Sequence, residues 1–342
     1  MSRADLISQR GHVVHGRRNL IINGGMQVAQ RGTQETDVTS DGYYTVDRVR
    51  LSNTSLGTWT LDQSTDAPNG FSNSFKLTCT TNDPSPAASD KLLVISRIEA
   101  QDLQSLGYGT SDAKSLTLSF YVKSNKTGNA SVNLLQNDNS NKMVSFQYSI
   151  LSADTWERKT ISIPADTSGL INNDNGYGFQ LEWFLNGGSD FSGGSHNTSW
   201  TAFSNTDRNV SNLGVGGAVS DYFAITGVQL ELGETATPFE HRSFGEELAL
   251  CQRYYYEFDL PSDYTPGGGG NGLYRAYAYP VTMRATPTGS IVTPCQYLNG
   301  STAEDYTPTV TGSTSHASVN KFDNLTNATG VWSGRIGLDA EL

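Results

Sequence analysis

The stretch SLTLSFYVKS, residues 115–124, decides the fold class of this chain. Every second position is apolar, and mostly polar residues lie between the apolar ones, which are Leu116, Leu118, Phe120 and Val122. Successive side chains of a β-strand point to opposite faces of its sheet. This spacing therefore predicts a strand with one buried face.

The same alternation recurs on both sides of this stretch. Charged residues make up only 17% of the chain, and Gly, Ser, Thr and Asn fill the gaps between apolar runs. Short strands at turn-separated intervals are typical of a β-sandwich, so we predict an all-β first domain. The further period-two positions are Phe75, Leu77 and Cys79, then Val132 and Leu134, Ile161 and Ile163, and Phe179, Leu181, Trp183 and Leu185.

The segment YFAITGVQLELG changes its phase in the middle. Phe223 and Ile225 are odd-numbered, whereas Val228 and Leu230 are even-numbered. An extra residue in one strand absorbs such a slip, so a β-bulge is predicted at Gly227.

One helix signal interrupts this pattern, in SFGEELALCQRYYYEF, residues 243–258. Ser243 followed by Glu246 is a capping box, which predicts a helix start. A spacing of 4, 3, 4, 3 forms a coiled-coil-like seam of Phe244, Leu248, Cys251, Tyr255 and Phe258. Two interpretations are open, because the seam fits packing on a β-domain of the same chain as well as a homotrimer axis.

Beyond this helix, the chain again has the composition of short strands and loops. It ends in RIGLDAEL, in which polar residues and glycine alternate with Ile336, Leu338, Ala340 and Leu342. We predict four segments: a basic N-terminal attachment segment (1–18), a jelly-roll β-sandwich (19–242), a connector helix (243–258) and a small C-terminal β-domain (259–342).

Charge is unevenly distributed along the chain. The net charge is −11, but residues 1–18 are +3, which leaves −14 for the rest. An acidic body argues against nucleic acid as a partner, and no apolar run is long enough for membrane insertion. The N-terminal segment is predicted either to bind an acidic protein partner or to be a solvated terminus. Its arginines are Arg3, Arg10, Arg17 and Arg18.

Catalytic and metal-binding motifs are missing from the sequence. The three cysteines and five histidines have no ligand spacing, and no nucleophile elbow or phosphate-binding loop occurs. Glu157 and Glu182 alternate with apolar residues and are interpreted as outward-facing strand positions. We therefore predict no catalytic residue, no metal and no cofactor.

Aromatic residues offer the best binding signal. Sugar rings stack on exposed aromatic side chains while amides and carboxylates bind their hydroxyls. Tyr177, Trp183 and Trp200 lie among Asn, Asp and Glu residues and are the predicted carbohydrate-binding residues, although Trp183 and Trp200 also fit core positions. Loops of the C-terminal β-domain are the alternative place for glycan contact.

Several motifs resemble known families. NLIINGGMQ, LTLSFYVKSNKTGNASVNLL, TWERKTISIPAD and YFAITGVQLELG resemble strands of a galactose-binding-like jelly roll, the fold of many carbohydrate-binding modules. NLIINGGMQVAQRGT, GVQLELGETATPFEHRSFGEELALCQRYY and PVTMRATPT resemble phage tail-fibre and related virion proteins.

The second resemblance implies a non-enzymatic virion protein, synthesised in the host cytoplasm and placed in a tail-fibre-like appendage. It implies that the N-terminal segment binds other virion proteins, that host-surface glycans are contacted, and that the protein is a homotrimer. The alternatives are a head decoration or head fibre protein, and a polysaccharide-degrading tail enzyme.

Overall fold

The computed structural model describes residues 17–138, 141–259, 274–299, 302–306, 309–314, 316–320 and 332–342. Within these ranges, only the backbone is described for residues 274–276, 295–299, 302–306, 309–312, 316–320 and 332–333.

The first domain is a sandwich of two antiparallel sheets. In spatial order, one sheet contains β1 (Gln34–Val38), β4 (Thr58–Ser64), β5 (Ser74–Thr81), β13 (Tyr222–Leu232), β7 (Leu116–Ser124) and β10 (Glu157–Ile163). The other contains β12 (Thr201–Ala202), β9 (Lys142–Ile150), β8 (Gly128–Gln136), β11 (Tyr177–Gly187), β6 (Lys91–Glu99), β3 (Arg50–Thr54) and β2 (Gly42–Tyr43). Short 3-10 turns span Ala100–Leu106, Ser189–Phe191 and Asn205–Asp207.

The core lies between the two sheets and confirms the predicted all-β jelly-roll class. All four apolar residues of the opening stretch, on β7, are buried in it. The predicted bulge is also present, since the pairing of β13 with β7 shifts register between Thr226 and Gln229. Gly227 has a φ of 61°, which glycine adopts without strain.

A turn over residues 19–26 closes one end of the sandwich. The Asn19 side chain donates to the Val228 carbonyl and accepts from the Leu230 amide. The Asn23 side chain donates to the carbonyls of Val28 and Asp47. These bonds satisfy buried backbone groups that no sheet ladder satisfies.

Helix α1 spans Phe244–Gln252 and is shorter than the predicted helix 243–258. Its start was predicted correctly, because the capping box between Ser243 and Glu246 is formed. Its end was wrong, because residues Tyr255–Asp259 form strand β14. Aromatic residues favour strands, and pairing with a partner strand outweighs the helical spacing here.

The predicted seam is therefore not one helical face. Phe244 is 56% exposed, whereas Cys251 is fully buried with Leu248 packed beside it, against Ile22 and other residues of the same chain. Tyr255 and Phe258 lie on β14. For Leu248 and Cys251, the structure has the within-chain packing that was one of the two interpretations.

The C-terminal unit begins at β14 rather than at residue 259. One antiparallel sheet contains, in spatial order, β14, β20 (Trp332–Asp339), β16 (Thr288–Asn299) and β17 (Thr302–Tyr306). A second contains β15 (Tyr274–Ala278), β19 (His316–Asn320) and β18 (Thr309–Gly312). Ile336, Leu338 and Ala340 are buried, as their alternation predicted.

An ion pair joins the link between α1 and β14 to the sandwich. Arg253, just after α1, donates two hydrogen bonds to Glu99, at 2.8 and 2.9 Å. Burial acts to raise the pKa of Glu99, but the hydrogen bonds from Arg253 and Tyr254 hold that pKa below its ordinary value. Glu99 therefore stays ionised at neutral pH and keeps its bond to Arg253.

A second set of contacts involves residues 339–342, called here the 339–342 segment. Arg31 of the sandwich lies 3.3 Å from Glu341, and Arg48 donates to the same carboxylate. The Arg31 guanidinium group lies 3.5 Å from the centroid of the Tyr255 ring, and that of Arg48 lies 3.5 Å from the centroid of the Tyr254 ring. Both arginines therefore also make cation–π contacts.

Gly24 provides a test of the 19–26 turn. A Cβ atom at this position would lie 2.1 Å from the Val228 carbonyl oxygen, whereas at Gly25 the nearest atom is 3.5 Å away. We expect Gly24→Ala to lower the free energy of unfolding by about 2 kcal/mol. The matched control Gly25→Ala changes it by less than about 0.5 kcal/mol. Urea denaturation measures both, and equal stabilities would show that the turn yields without cost.

Candidate functional site

An open groove of about 230 Å³ lies at one end of the seven-stranded sheet. It is lined by two aromatic rings, several amide side chains, and charged groups from three parts of the chain. Its lining residues are Leu135, Gln136, Asn137, Asn141, Lys142, Tyr177, Gln180, Glu182, Phe203 and Arg208.

Strand β11 supplies the floor of the groove. Phe179 and Leu181 point into the sandwich core, so the alternate residues Gln180 and Glu182 point to the outer face of the sheet. Glu182 is completely buried there, because Arg208 covers it with hydrogen bonds of 2.8 and 3.0 Å. This bidentate pair satisfies both charges where water is excluded.

Residues 188–211, called here the strap, cross the outer face of this sheet and supply one wall of the groove. Phe191 packs on Leu93, Ile95 and Phe184 of the sheet. His196 bridges the hydroxyls of Ser145 and Ser211, at 3.0 and 2.9 Å. Burial lowers the pKa of His196, although Asp207 opposes this, so the ring is neutral at neutral pH.

Residues of β8 and β9 also line the groove, next to the strap, because β12 pairs with β9 and the Phe203 amide donates to the Asn141 carbonyl at 2.7 Å. Lys142 donates to both carboxylate oxygens of Asp166, at 2.9 and 3.0 Å. Burial acts to raise the pKa of Asp166, but hydrogen bonds from Lys142 and Ser168 hold that pKa below its ordinary value. Both cations of the groove are therefore paired with carboxyl groups of the protein, Lys142 with Asp166 and Arg208 with Glu182.

Of the three predicted carbohydrate-binding residues, only Tyr177 lines this groove. Trp183 is 2% exposed and packs edge-on against Phe120 in the core. Trp200 is half-buried at the core edge, stacked on Phe179, and its indole nitrogen donates to the Pro164 carbonyl at 2.8 Å. Neither tryptophan lines the groove. The burial of Trp183 leaves it no surface for a sugar, whereas sugar contact by Trp200 outside the groove stays a prediction.

The two glutamates interpreted as outward-facing differ from each other. Glu182 does leave the core side of its strand, but it is buried under Arg208 rather than solvated. Glu157 is part-exposed and accepts hydrogen bonds from the Leu151 and Ser152 amides. A run of alternating residues shows which face a side chain takes but not whether another segment covers that face.

The sequence did not indicate Phe203, Arg208, Lys142 or Gln180 as groove residues. The alternation along β11 contained a signal for Gln180, since it places this residue on the face of Glu182. Phe203 and Arg208 reach the groove only because the strap folds back over the sheet, and no local pattern predicts that contact.

The basic N-terminal segment is described only from Arg17 onward. Arg17 forms an ion pair with Asp102 at 3.1 Å, and Arg18 lies 3.6 Å from Glu231. Both arginines thus contact the acidic body of their own chain. Arg3 and Arg10 lie outside the described residues.

Within the described residues, no group of three or more His, Cys, Asp or Glu side chains is placed to hold a metal ion. In the same part of the chain, no helix has the length and apolarity needed to cross a membrane. Cys79 and Cys251 are free and buried, and the side chain of Cys295 lies outside the described part.

No family model and no curated relative matches the chain. Among solved structures, it is similar to the enzymatically active domain of bacteriophage CBA120 tailspike protein 4, with 14% identity and a TM-score of 0.33 over 63% of this chain. That similarity spans 21% of the tailspike chain.

Two further similar structures are matched over their whole length. A putative sugar-binding protein from Bacteroides thetaiotaomicron VPI-5482 shows 13% identity and a TM-score of 0.35, over 63% of this chain and 100% of its own. A CBM4 structure shows 14% identity and a TM-score of 0.32, over 62% and 99%. Because these TM-scores are low, the similarities support no statement about the function of this chain.

The stabilities of Trp200→Ala and Tyr177→Ala test whether each ring packs in the core or lies at the groove surface. Trp200→Ala removes a ring that packs on the core, so we expect the free energy of unfolding to fall by about 2 kcal/mol. Tyr177→Ala, on the groove surface, changes it by less than about 1 kcal/mol. Urea denaturation measures both. Wild-type stability of Trp200→Ala would contradict the core role assigned to Trp200.

Proposed function

We propose that the protein binds glycans, and that the groove on the seven-stranded sheet is the binding site. The observation that carries the proposal is the meeting, in one open groove, of two partly exposed aromatic rings with a set of amide side chains. Phe203 is 39% exposed, and Tyr177 is half-buried.

Aromatic rings suit the apolar faces of sugars. A pyranose ring presents C–H groups on each face, and these pack against an aromatic surface as other apolar groups do. Tyr177 comes from the sheet and Phe203 from the strap, so the two rings belong to different segments of the groove. A sugar bound there would contact both segments.

Amide side chains suit sugar hydroxyls. A hydroxyl group both donates and accepts hydrogen bonds, and so does a primary amide. Four amides line the groove, namely Gln136, Asn137, Asn141 and Gln180. Both cations of the groove are paired, and recognition by this lining therefore depends on hydrogen bonds and packing more than on charge.

Direct binding measurements test the proposal. We expect wild-type protein to bind at least one of cellohexaose, xylohexaose, laminarihexaose and purified bacterial surface polysaccharide in calorimetry. Tyr177→Ala weakens that binding about five- to tenfold, since an aromatic contact contributes about 1 kcal/mol. The matched control is Phe244→Ala, which removes an exposed ring from α1 and leaves binding unchanged.

Two outcomes would contradict the proposal. If the wild-type protein binds none of these probes, the proposal that it binds glycans is wrong. If Tyr177→Ala binds glycan with the same affinity as the wild-type protein, the binding site is not in the groove. Shortening of the polysaccharide during the assay would favour the alternative of a degrading enzyme.

We further propose that this binding serves a phage virion, in a tail-fibre-like appendage that contacts the host surface. The support is the resemblance of NLIINGGMQVAQRGT and of the long stretch 227–255 to virion proteins. Attachment through the N-terminal arginines and a homotrimeric state rest on the same resemblance. The seam that had favoured the trimer is divided between α1 and β14, so it no longer adds support.

Immunogold labelling of phage particles tests the virion role. We expect antibodies against this chain to label tail fibres. Labelling of the head would support the head decoration alternative instead, and particles that carry no label at all would contradict both.

A further inference from the structure

We infer that Arg97 is a positioning residue, which couples the docking of the 339–342 segment to the shape of the groove. Arg97 itself does not line the groove. It lies on β6, beside β11, between the groove and the C-terminal unit. Its effect on affinity rests on the proposed glycan function, whereas the mechanical coupling does not.

On the groove side, one guanidinium group holds two lining residues. The Nε of Arg97 donates to the Gln180 Oε1 at 2.6 Å. The same group lies 4.5 Å from the centre of the Tyr177 ring, within the range of a cation–π contact. Arg97 therefore fixes both an aromatic ring and an amide that face the groove.

From Gln180, the hydrogen bonds continue across the floor of the groove to the strap. The Gln180 Nε2 donates to the Glu182 Oε1 at 2.6 Å, and Glu182 accepts both bonds from Arg208. Arg208 in turn donates to the Asn205 Oδ1 at 3.1 Å. Because Gln180 accepts at its oxygen and donates at its nitrogen, its amide has a single orientation that satisfies both neighbours.

On its other side, Arg97 is held by the C-terminal unit. Its Nη1 donates to the Leu342 carbonyl oxygen, which also accepts from the Tyr43 hydroxyl at 3.2 Å. Glu341, the preceding residue, is fixed by Arg31 and Arg48. A docked 339–342 segment thus supplies the acceptor that completes the hydrogen bonds of Arg97.

The consequence is a continuous series of contacts from the C-terminal unit to the strap. If the 339–342 segment moves, Arg97 loses an acceptor, and the positions of Gln180 and Tyr177 are less restricted. The contacts of Glu182 and Arg208 transmit this change to the strap wall, which carries Phe203. A purely local role for Arg97 would leave the strap unchanged.

Hydrogen–deuterium exchange of the full chain, measured by mass spectrometry, tests the coupling without any glycan. The readout is the peptide that covers residues 203–208, at the far end of the series. Arg97→Lys keeps the charge but loses the planar fork. Tyr43→Phe removes only the second bond to Leu342. We expect exchange in 203–208 to accelerate at least about threefold in Arg97→Lys and by a smaller factor in Tyr43→Phe.

The matched control is Arg50→Ala. Arg50 lies on the neighbouring strand β3 and pairs with Asp41 at 2.9 Å, away from the groove lining. Its loss leaves exchange in 203–208 unchanged. An effect of Arg97→Lys without any effect of Tyr43→Phe would overturn the coupling, because the role of Arg97 would then be local. Faster exchange in Arg50→Ala as well would also overturn it.

Binding of the same three hexasaccharides completes the test. We expect Arg97→Lys to weaken any wild-type binding about fivefold and Arg50→Ala to leave it unchanged. If no hexasaccharide or surface polysaccharide binds the wild-type protein, the glycan function fails, yet the exchange measurement still decides the coupling. Wild-type affinity in Arg97→Lys would overturn the positioning role.

Discussion

The hydrogen bonds of Asn19 and Asn23 are the constraint on which the rest of the structure depends. Residues 19–26 are buried without belonging to a sheet, and unpaired backbone groups there would cost stability. The two side chains replace the missing ladder, and Asn19 bonds to β13 just beyond its bulge. The backbone N–H of Asn23 also donates to the Glu247 carboxylate of α1, at 2.5 Å. One short turn therefore fixes the sandwich, the helix and, through the helix, the start of β14.

The fold could be read from the sequence wherever one face of a strand is buried. Alternation identified β7 and β20, and a phase slip located the bulge at Gly227, because these features follow from the period of the backbone. The end of α1 could not be read in this way. Residues 254–258 fit a helix by spacing and a strand by propensity, and pairing with β20, a contact distant in sequence, decided between the two.

The candidate site was predicted only in part, for a related reason. Tyr177 and the outward side of Glu182 follow from local pattern, but a groove is formed by segments that meet only in three dimensions. The strap brings Phe203 and Arg208 to β11 and also explains why Glu182 is buried. Conversely, Trp200 has the sequence surroundings of a sugar-binding residue, yet its ring packs on Phe179. Exposure of an aromatic residue depends on packing, which a single sequence does not specify.

The pairing of β14 with β20 has a consequence for the order of folding. β14 follows α1 directly, but strands β15 to β19 separate it in the chain from β20. Contacts distant in sequence form slowly, because the intervening loop must first be closed. During synthesis, the sandwich can fold while β14 still lacks its partner strand. The backbone groups of β14 that later pair with β20 are open to other chains until β20 emerges from the ribosome. Completion of the C-terminal sheet is then the step that ends this exposure of β14 to aggregation.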